Sequence, residues 1–234
     1  MEKSPSFGPF EVRGELGRGA GGVVYVAWDP AHDRTAAVKL YASAPRDAGA
    51  AMARLRRDAQ AAGALGHPNI AAVLGVGDHD GRPWVATEFV PGVSLAQVLR
   101  SHAPMPIERV LDVWRQLCEG LAHAHREGVF HLDLKPADVR LTPAGEVKIV
   151  DFGSWHLKAL ERKAPGPIEE GLHYRAPEIL TGRRPDRRVD VFSVGSIVYE
   201  LVSYRKAFPG DSTTDVVRGL TRCDPDLACL PRTP

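Results

Sequence analysis

Polar and apolar residues alternate along the first ninety or so positions, and the period then changes. Phe10 to Leu16 alternates apolar with polar, Val23 to Trp28 is β-branched and aromatic, and Thr35 to Leu40 follows the turn-rich Asp29-Pro30-Ala31-His32-Asp33. The pattern predicts three antiparallel strands joined by short turns. Ala48 to Leu65 is rich in Ala and Arg, lacks proline, and stops before His67-Pro68, where proline disfavours a preceding helical residue. It predicts one helix. Ala71 to Val76 and Pro83 to Phe89 flank Asp80-Gly81, a hairpin signal that brings the predicted sheet to five strands.

Near Pro91-Gly92 the chain changes character, which sets a predicted boundary between residues 1–90 and 91–234. Beyond it, Ile107, Val110, Leu111, Trp114, Leu117 and Leu121 recur at helical spacing and predict a buried stripe on a long helix ending near Gly128. Val139 to Leu141 and Val147 to Val150 surround Pro143-Ala144-Gly145 as a short hairpin, and Asp190 to Leu201 reads as a buried helix. The expected class is α+β: a small antiparallel five-stranded sheet plus one helix, then a mainly helical part. There is no internal repeat or low-complexity tract.

Composition narrows the function classes. With 44% hydrophobic and 25% charged residues the chain is globular, and a net charge of 30 − 29 = +1 argues against a nucleic-acid partner. The longest apolar stretch, Val189 to Val202, is interrupted by Asp190, Ser193, Gly195, Ser196, Tyr199 and Glu200, so no segment has the length of a membrane span. Met1-Glu2-Lys3-Ser4-Pro5 lacks an apolar signal core, and the three cysteines, Cys118, Cys223 and Cys229, cannot all pair, which favours a reducing cytoplasm. Only seven of the thirty basic residues are Lys and Ala is abundant, a bias like that of GC-rich bacterial genomes.

The chemistry begins at Leu16-Gly17-Arg18-Gly19-Ala20-Gly21-Gly22-Val23-Val24-Tyr25, which contains G-x-G-x-x-G. In a dinucleotide-binding fold a helix follows these glycines to hold a pyrophosphate at its N-terminus, whereas here Val23-Val24-Tyr25-Val26 continues as a strand. Glycines between two strands let backbone amides close over phosphates without side-chain obstruction, and Lys39 on the next strand, in Ala36-Ala37-Val38-Lys39, has the reach to join them. A lone strand lysine is ordinarily a surface residue. This one is followed by His131-Leu132-Asp133-Leu134-Lys135-Pro136-Ala137-Asp138, then Asp151-Phe152-Gly153, Ala176-Pro177-Glu178 and Asp190.

In that order the motifs resemble those of the eukaryotic-type (Hanks-type) protein kinases, and among them the bacterial serine/threonine kinases, from Phe10 to Gly210. Small-molecule kinases of the aminoglycoside type share parts of the catalytic loop but lack Ala-Pro-Glu, so the resemblance favours a protein substrate. It implies a two-lobed fold, with a nucleotide-binding lobe at 1–90 and a catalytic lobe at 91–234, that uses ATP with Mg²⁺ or possible Mn²⁺. Leu16, Gly17, Gly19 and Gly22 would cover the phosphates, and Val24 and Ala37 the upper face of the base. Thr87 would be the gatekeeper, and the backbone of Glu88 and Val90 would bond the adenine. Lys39 would hold the α- and β-phosphates, Asp151 and Asp138 the metal, and Asp133 would accept the substrate proton while Lys135 offsets developing charge. Asp190 would tie down the catalytic-loop backbone.

Four positions depart from the family pattern. Asp58 stands where a helix glutamate pairs with the strand lysine and is one methylene shorter, which implies a strained or water-bridged pair. Asp138 replaces the metal-binding asparagine and adds a negative charge. Leu132 replaces the arginine that grips an activation-loop phosphate, and Gly171 replaces a threonine that contacts the catalytic aspartate and lysine. Between Asp151 and Glu178 the only hydroxyl residues are Ser154 and Tyr174, so activity is expected not to need phosphorylation there, with Glu169 and Glu170 supplying charge. The alternative is a pseudokinase that binds ATP and signals by shape. Relatives continue beyond the Phe208-Pro209-Gly210 region with an arginine that partners the equivalent of Glu178, and Thr221 to Pro234 is poor helix material. A truncated second lobe with Glu178 unpartnered is therefore expected, and any membrane anchor would lie in a missing C-terminal segment.

Overall fold

Alternation in the first ninety residues folds into one antiparallel sheet. The computed structural model describes residues 6–19, 21–42, 48–153, 168–169 and 171–230. Its first strands are β1 (Ser6–Phe7), β2 (Phe10–Gly19), β3 (Gly22–Asp29) and β4 (Arg34–Tyr41), followed by helix α1 (Ala48–Gly63) and strands β5 (Val73–His79) and β6 (Arg82–Glu88). The sheet order is β1-β2-β3-β4-β6-β5, six strands where five are predicted. The extra strand, β1, pairs Ser6 with Glu11 and Phe7 with Phe10; two residues are too few to show an alternating pattern.

The two faces of this sheet are covered differently. Phe7, Phe10, Ala27, Ala36, Val38, Leu40, Trp84 and Ala86 form one core cluster. On the other face Tyr41 and Val85 pack with Leu55 of α1, and Met52, Val73 and Val76 close round them. Period-2 geometry explains the split, because Val38 and Leu40 point one way along β4 while Lys39 and Tyr41 point the other. The Lys39 side is therefore the side on which α1 packs.

The chain divides into two compact units, Met1–Pro91 with Val150–Lys163, and Gly92–Ile149 with Ala164–Pro234. The second unit contains β7 (Val93–Ser94), α2 (Leu95–Ser101), α3 (Ile107–Arg126), β8 (Val139–Leu141), β9 (Val147–Ile149), α4 (Pro177–Leu180), α5 (Arg188–Ser203) and α6 (Thr213–Arg222). Ser94 starts α2 with a capping box: its hydroxyl accepts from the Gln97 N–H, and the Gln97 side chain accepts from the Ser94 N–H. The predicted hairpin is present as β8–β9, and β7 adds a third strand to it. Among the described residues no helix is long and apolar enough to cross a membrane.

The buried face of α3 differs from the predicted stripe. Val110, Val113, Leu117, Leu121 and Ala124 are buried, whereas Ile107, Leu111 and Trp114 are 47%, 50% and 45% exposed. At 3.6 residues per turn these three form a second row roughly a quarter-turn round the helix from the first. The apolar arc is wider than the surface that α5 covers. Helix α5 is mostly buried as expected, including Asp190, Ser193, Ser196 and Glu200, with Val191 exposed.

Candidate active site

Strand register collects the residues expected at the nucleotide. Gly17 lies opposite Val24, Val24 opposite Lys39, and Ala37 opposite Thr87. Directly opposed residues share a face, and Ala37 and Lys39 are two apart, so Val24, Ala37, Lys39 and Thr87 stand on one side of the sheet. Leu16 is exposed, and a β-carbon at Gly17 or Gly19 would meet nothing within 4 Å, so their backbone is open to a ligand. Gly22 has φ +128 and a β-carbon there would lie 2.1 Å from the Leu40 carbonyl oxygen, a closeness only glycine tolerates. Glu88 ends β6, with its side chain accepting from the Ala72 N–H at 3.3 Å, and Val90 follows as a buried residue. Ala20 lies outside the described residues.

Lys39 pairs with Asp151, not with Asp58. Its ammonium donates to Asp151 Oδ2 at 2.7 Å and sits 4.9 Å from the centre of the Tyr41 ring, whose hydroxyl donates to Asp151 Oδ1 at 3.4 Å. Asp151 takes φ +72, which Asp tolerates better than most residues. The Asp58 carboxylate lies 3.4 Å from the Arg57 guanidinium. It is the Asp58 backbone that meets the Asp151 segment: a β-carbon at Gly153, φ +76, would lie 3.1 Å from the Asp58 carbonyl. Gly153 thus lets α1 approach closely, and Asp151 reaches Lys39 first.

In the second unit Asp190 organises the loop that carries Asp133. It is fully buried and accepts from the backbone N–H of His131 at 2.9 Å and of Leu132 at 2.7 Å, with His125 Nε2 2.8 Å away. Leu132 is thereby held at φ +66, a conformation a branched side chain rarely adopts unaided. Asp133 and Asp138 are buried, and Lys135 donates to both oxygens of Asp138 at 2.9 and 3.2 Å while standing 3.8 Å from Asp133. The charge added at Asp138 is thus balanced locally by Lys135. Among the described residues no group of three or more His, Cys, Asp or Glu forms a metal cage. Each unit does offer a hard carboxylate, Asp151 in one and Asp138 in the other. A single carboxylate of this kind suits a hard cation that keeps most of its water and takes the rest of its ligands from phosphates.

Around Asp133 the structure adds groups that the motifs do not announce. Arg175 donates to Asp133 Oδ1 at 3.2 Å and to Glu169 at 2.8 and 3.2 Å. Burial works against the charge of the Arg175 guanidinium, but Glu169 and Asp133 more than offset it and raise its pKa. Tyr174 is buried, its hydroxyl donating to Glu200, and Lys206 pairs with Glu200 at 2.6 Å. Glu178 is only partly buried, and its charge helps to raise the Arg188 pKa, after the hydrogen bond and charge of Asp186. The structure corrects the burial expected of Glu178, while among the described residues its carboxylate makes no hydrogen bond or ion pair. Ser154 and Glu170 lie outside the described residues.

A protein kinase domain profile matches residues 10–226. The chain belongs to the protein kinase family. Over 226 residues the kinase domain is 36% identical to a probable serine/threonine-protein kinase of Streptomyces coelicolor, covering 93% of this chain and 33% of that protein. It is 33% identical over 224 residues to the serine/threonine-protein kinase PknB of Mycobacterium tuberculosis, covering 92% of this chain and 36% of PknB. The chain thus spans about a third of the length of the curated relatives it matches. The crystal structure of the M. tuberculosis PknI kinase domain superposes with a TM-score of 0.73 at 27% identity, covering 91% of this chain and 80% of that one.

Sequence reasoning about this kinase domain missed Tyr41, His125 and Arg175. A signal existed for Tyr41, since period 2 puts it on the Lys39 face of β4. For His125 and Arg175 there was none, because their partners, Asp190 and Asp133, lie 65 and 42 residues away.

Proposed function

We propose that the chain is the catalytic domain of an active serine/threonine protein kinase that phosphorylates Ser or Thr hydroxyls of a protein substrate in the cytoplasm. When bound, ATP with Mg²⁺ supplies the phosphoryl group and the charge neutralisation. Leu16, Gly17, Gly19, Gly22, Val24, Ala37, Thr87, Glu88 and Val90 would hold the nucleotide, Lys39 its phosphates, and Asp151 and Asp138 the metal. Asp133 would accept the substrate hydroxyl proton, and Lys135 would offset charge developing on the transferred group. Asp58 enters this reading as the helix acid that would take up Lys39 when Asp151 turns to the metal.

The observation that carries the reading is Asp133, a buried carboxylate on a loop fixed by Asp190 and set between the cations of Arg175 and Lys135. Such a group is held in one place beside positive charge, and a proton acceptor has to be placed in this way. The test is phosphate transfer from labelled ATP to a Ser/Thr peptide by wild type and Asp133→Ala. Loss of about 10²-fold or more in kcat is expected for the variant. Nucleotide binding without transfer by wild type would replace this reading with that of a binding scaffold.

The kinase is also proposed to work without phosphorylation of the segment between Asp151 and Glu178. Tyr174 is buried against Glu200 and Lys206, and a fixed carboxylate, Glu169, already occupies the Arg175 guanidinium. Phosphatase-treated enzyme is expected to retain its rate. Inactivation by the phosphatase, traced to Ser154 or Tyr174, would refute this.

A further inference from the structure

We propose that Arg175, anchored by Glu169, is the positioning residue for Asp133, in a chain where Gly171 offers that carboxylate no hydroxyl. The inference rests on the reading of the chain as an active kinase. A guanidinium only 5% exposed needs compensating acceptors, and here they are the carboxylates of Asp133 and Glu169. Its planar fork serves both at once: Nη2 donates to Asp133 Oδ1 at 3.2 Å and to Glu169 Oε1 at 2.8 Å, while Nη1 donates to Glu169 Oε2 at 3.2 Å. Lys135, a second cation near Asp133 among the described residues, stands at 3.8 Å and is turned to Asp138. Arg175 therefore limits rotation of the Asp133 carboxylate more than Lys135 does.

Gly171 completes the arrangement. A β-carbon there would lie 3.7 Å from Asp133 Oδ1, 3.5 Å from Lys135 Cδ and 3.8 Å from Arg175 Nη2, all ordinary contacts. A hydroxyl on that carbon would come within hydrogen-bond reach of Asp133 Oδ1. The same oxygen can thus be held from position 171 by a hydroxyl or from position 175 by a guanidinium, and this chain uses the second. Glu169, 53% exposed, bonds both terminal nitrogens of the guanidinium and so anchors it.

Steady-state kinetics on the 234-residue chain, varying ATP and a Ser/Thr peptide separately, test this. Arg175→Leu is expected to lower kcat about tenfold or more, with both KM values within about twofold, because orientation of the base is lost and binding is not. Adding Gly171→Thr to Arg175→Leu is expected to raise kcat by a larger factor than the same substitution in the wild-type background, since the new hydroxyl takes the vacated bond. An unchanged kcat, a loss confined to KM, or equal effects of Gly171→Thr in both backgrounds would each overturn the proposal. Should Arg175→Leu fail to fold, as judged by its melting curve, Glu169→Ala decides: about a threefold fall in kcat is expected from the loosened anchor, and none would overturn it. A wild type that transfers no phosphate overturns the kinase reading and this inference together. An active wild type with an equally active Arg175→Leu overturns the inference alone.

Discussion

Lys39→Met and Asp151→Asn are each expected to lower phosphoryl transfer by about 10²–10³-fold, the usual cost of removing one group aimed at transition-state charge. The two side chains are bonded at 2.7 Å on the face of the sheet that carries Val24, Ala37 and Thr87, with Tyr41 bracing the carboxylate. Methionine keeps the length of Lys39 and removes its charge. Asparagine keeps the shape of Asp151 and tolerates φ +72, while it loses the anionic oxygen a divalent cation needs. Both variants should fold, so circular dichroism and nucleotide binding are to be measured beside the kinetics. Undiminished transfer in both would remove Lys39 and Asp151 from the machinery and the kinase reading with them.

Asp190→Ala is expected to cost about 3–5 kcal/mol of stability, because two backbone N–H groups and His125 lose a fully buried acceptor at once. Leu132 would then relax from φ +66 and carry Asp133 out of place, so kcat should fall by about 10²-fold in whatever fraction remains folded. Asp190→Asn keeps one carbonyl oxygen and should lose roughly half as much stability. Urea unfolding of the three proteins measures this. A loss below about 1 kcal/mol for Asp190→Ala would mean that the loop is held by other bonds.

The candidate site was legible where function depends on residue type and order along the chain. The glycine loop, Lys39, Asp133, Lys135 and Asp151 stand in the order of the protein kinase motifs, and the register of β2, β3, β4 and β6 puts Gly17, Val24, Ala37, Lys39 and Thr87 on one face. Two departures read from the sequence acquire a different meaning in the structure. The charge added at Asp138 is balanced by Lys135, and the gap at Gly171 lies beside a guanidinium that no motif led one to expect there.

Strand and helix placement, the glycines and the order of motifs follow from the sequence by itself, since periods of 2 and 3.6 and backbone conformational limits act over a few neighbouring residues. Tertiary structure alone decided the partner of Lys39, the face of α3 that is buried, and the cation on Asp133. Asp58 had the better claim on Lys39 by position along the helix, yet Gly153 brings the backbone of α1 against the Asp151 segment, and Asp151, 112 residues on from Lys39, makes the bond at 2.7 Å. Along α3, Leu111 and Leu117 are equally apolar, and only the packing of other elements against this helix, α5 and β9 among them, leaves the first exposed and the second buried. Contacts of this kind depend on where separate elements come to rest against one another, and no local period along the chain encodes that.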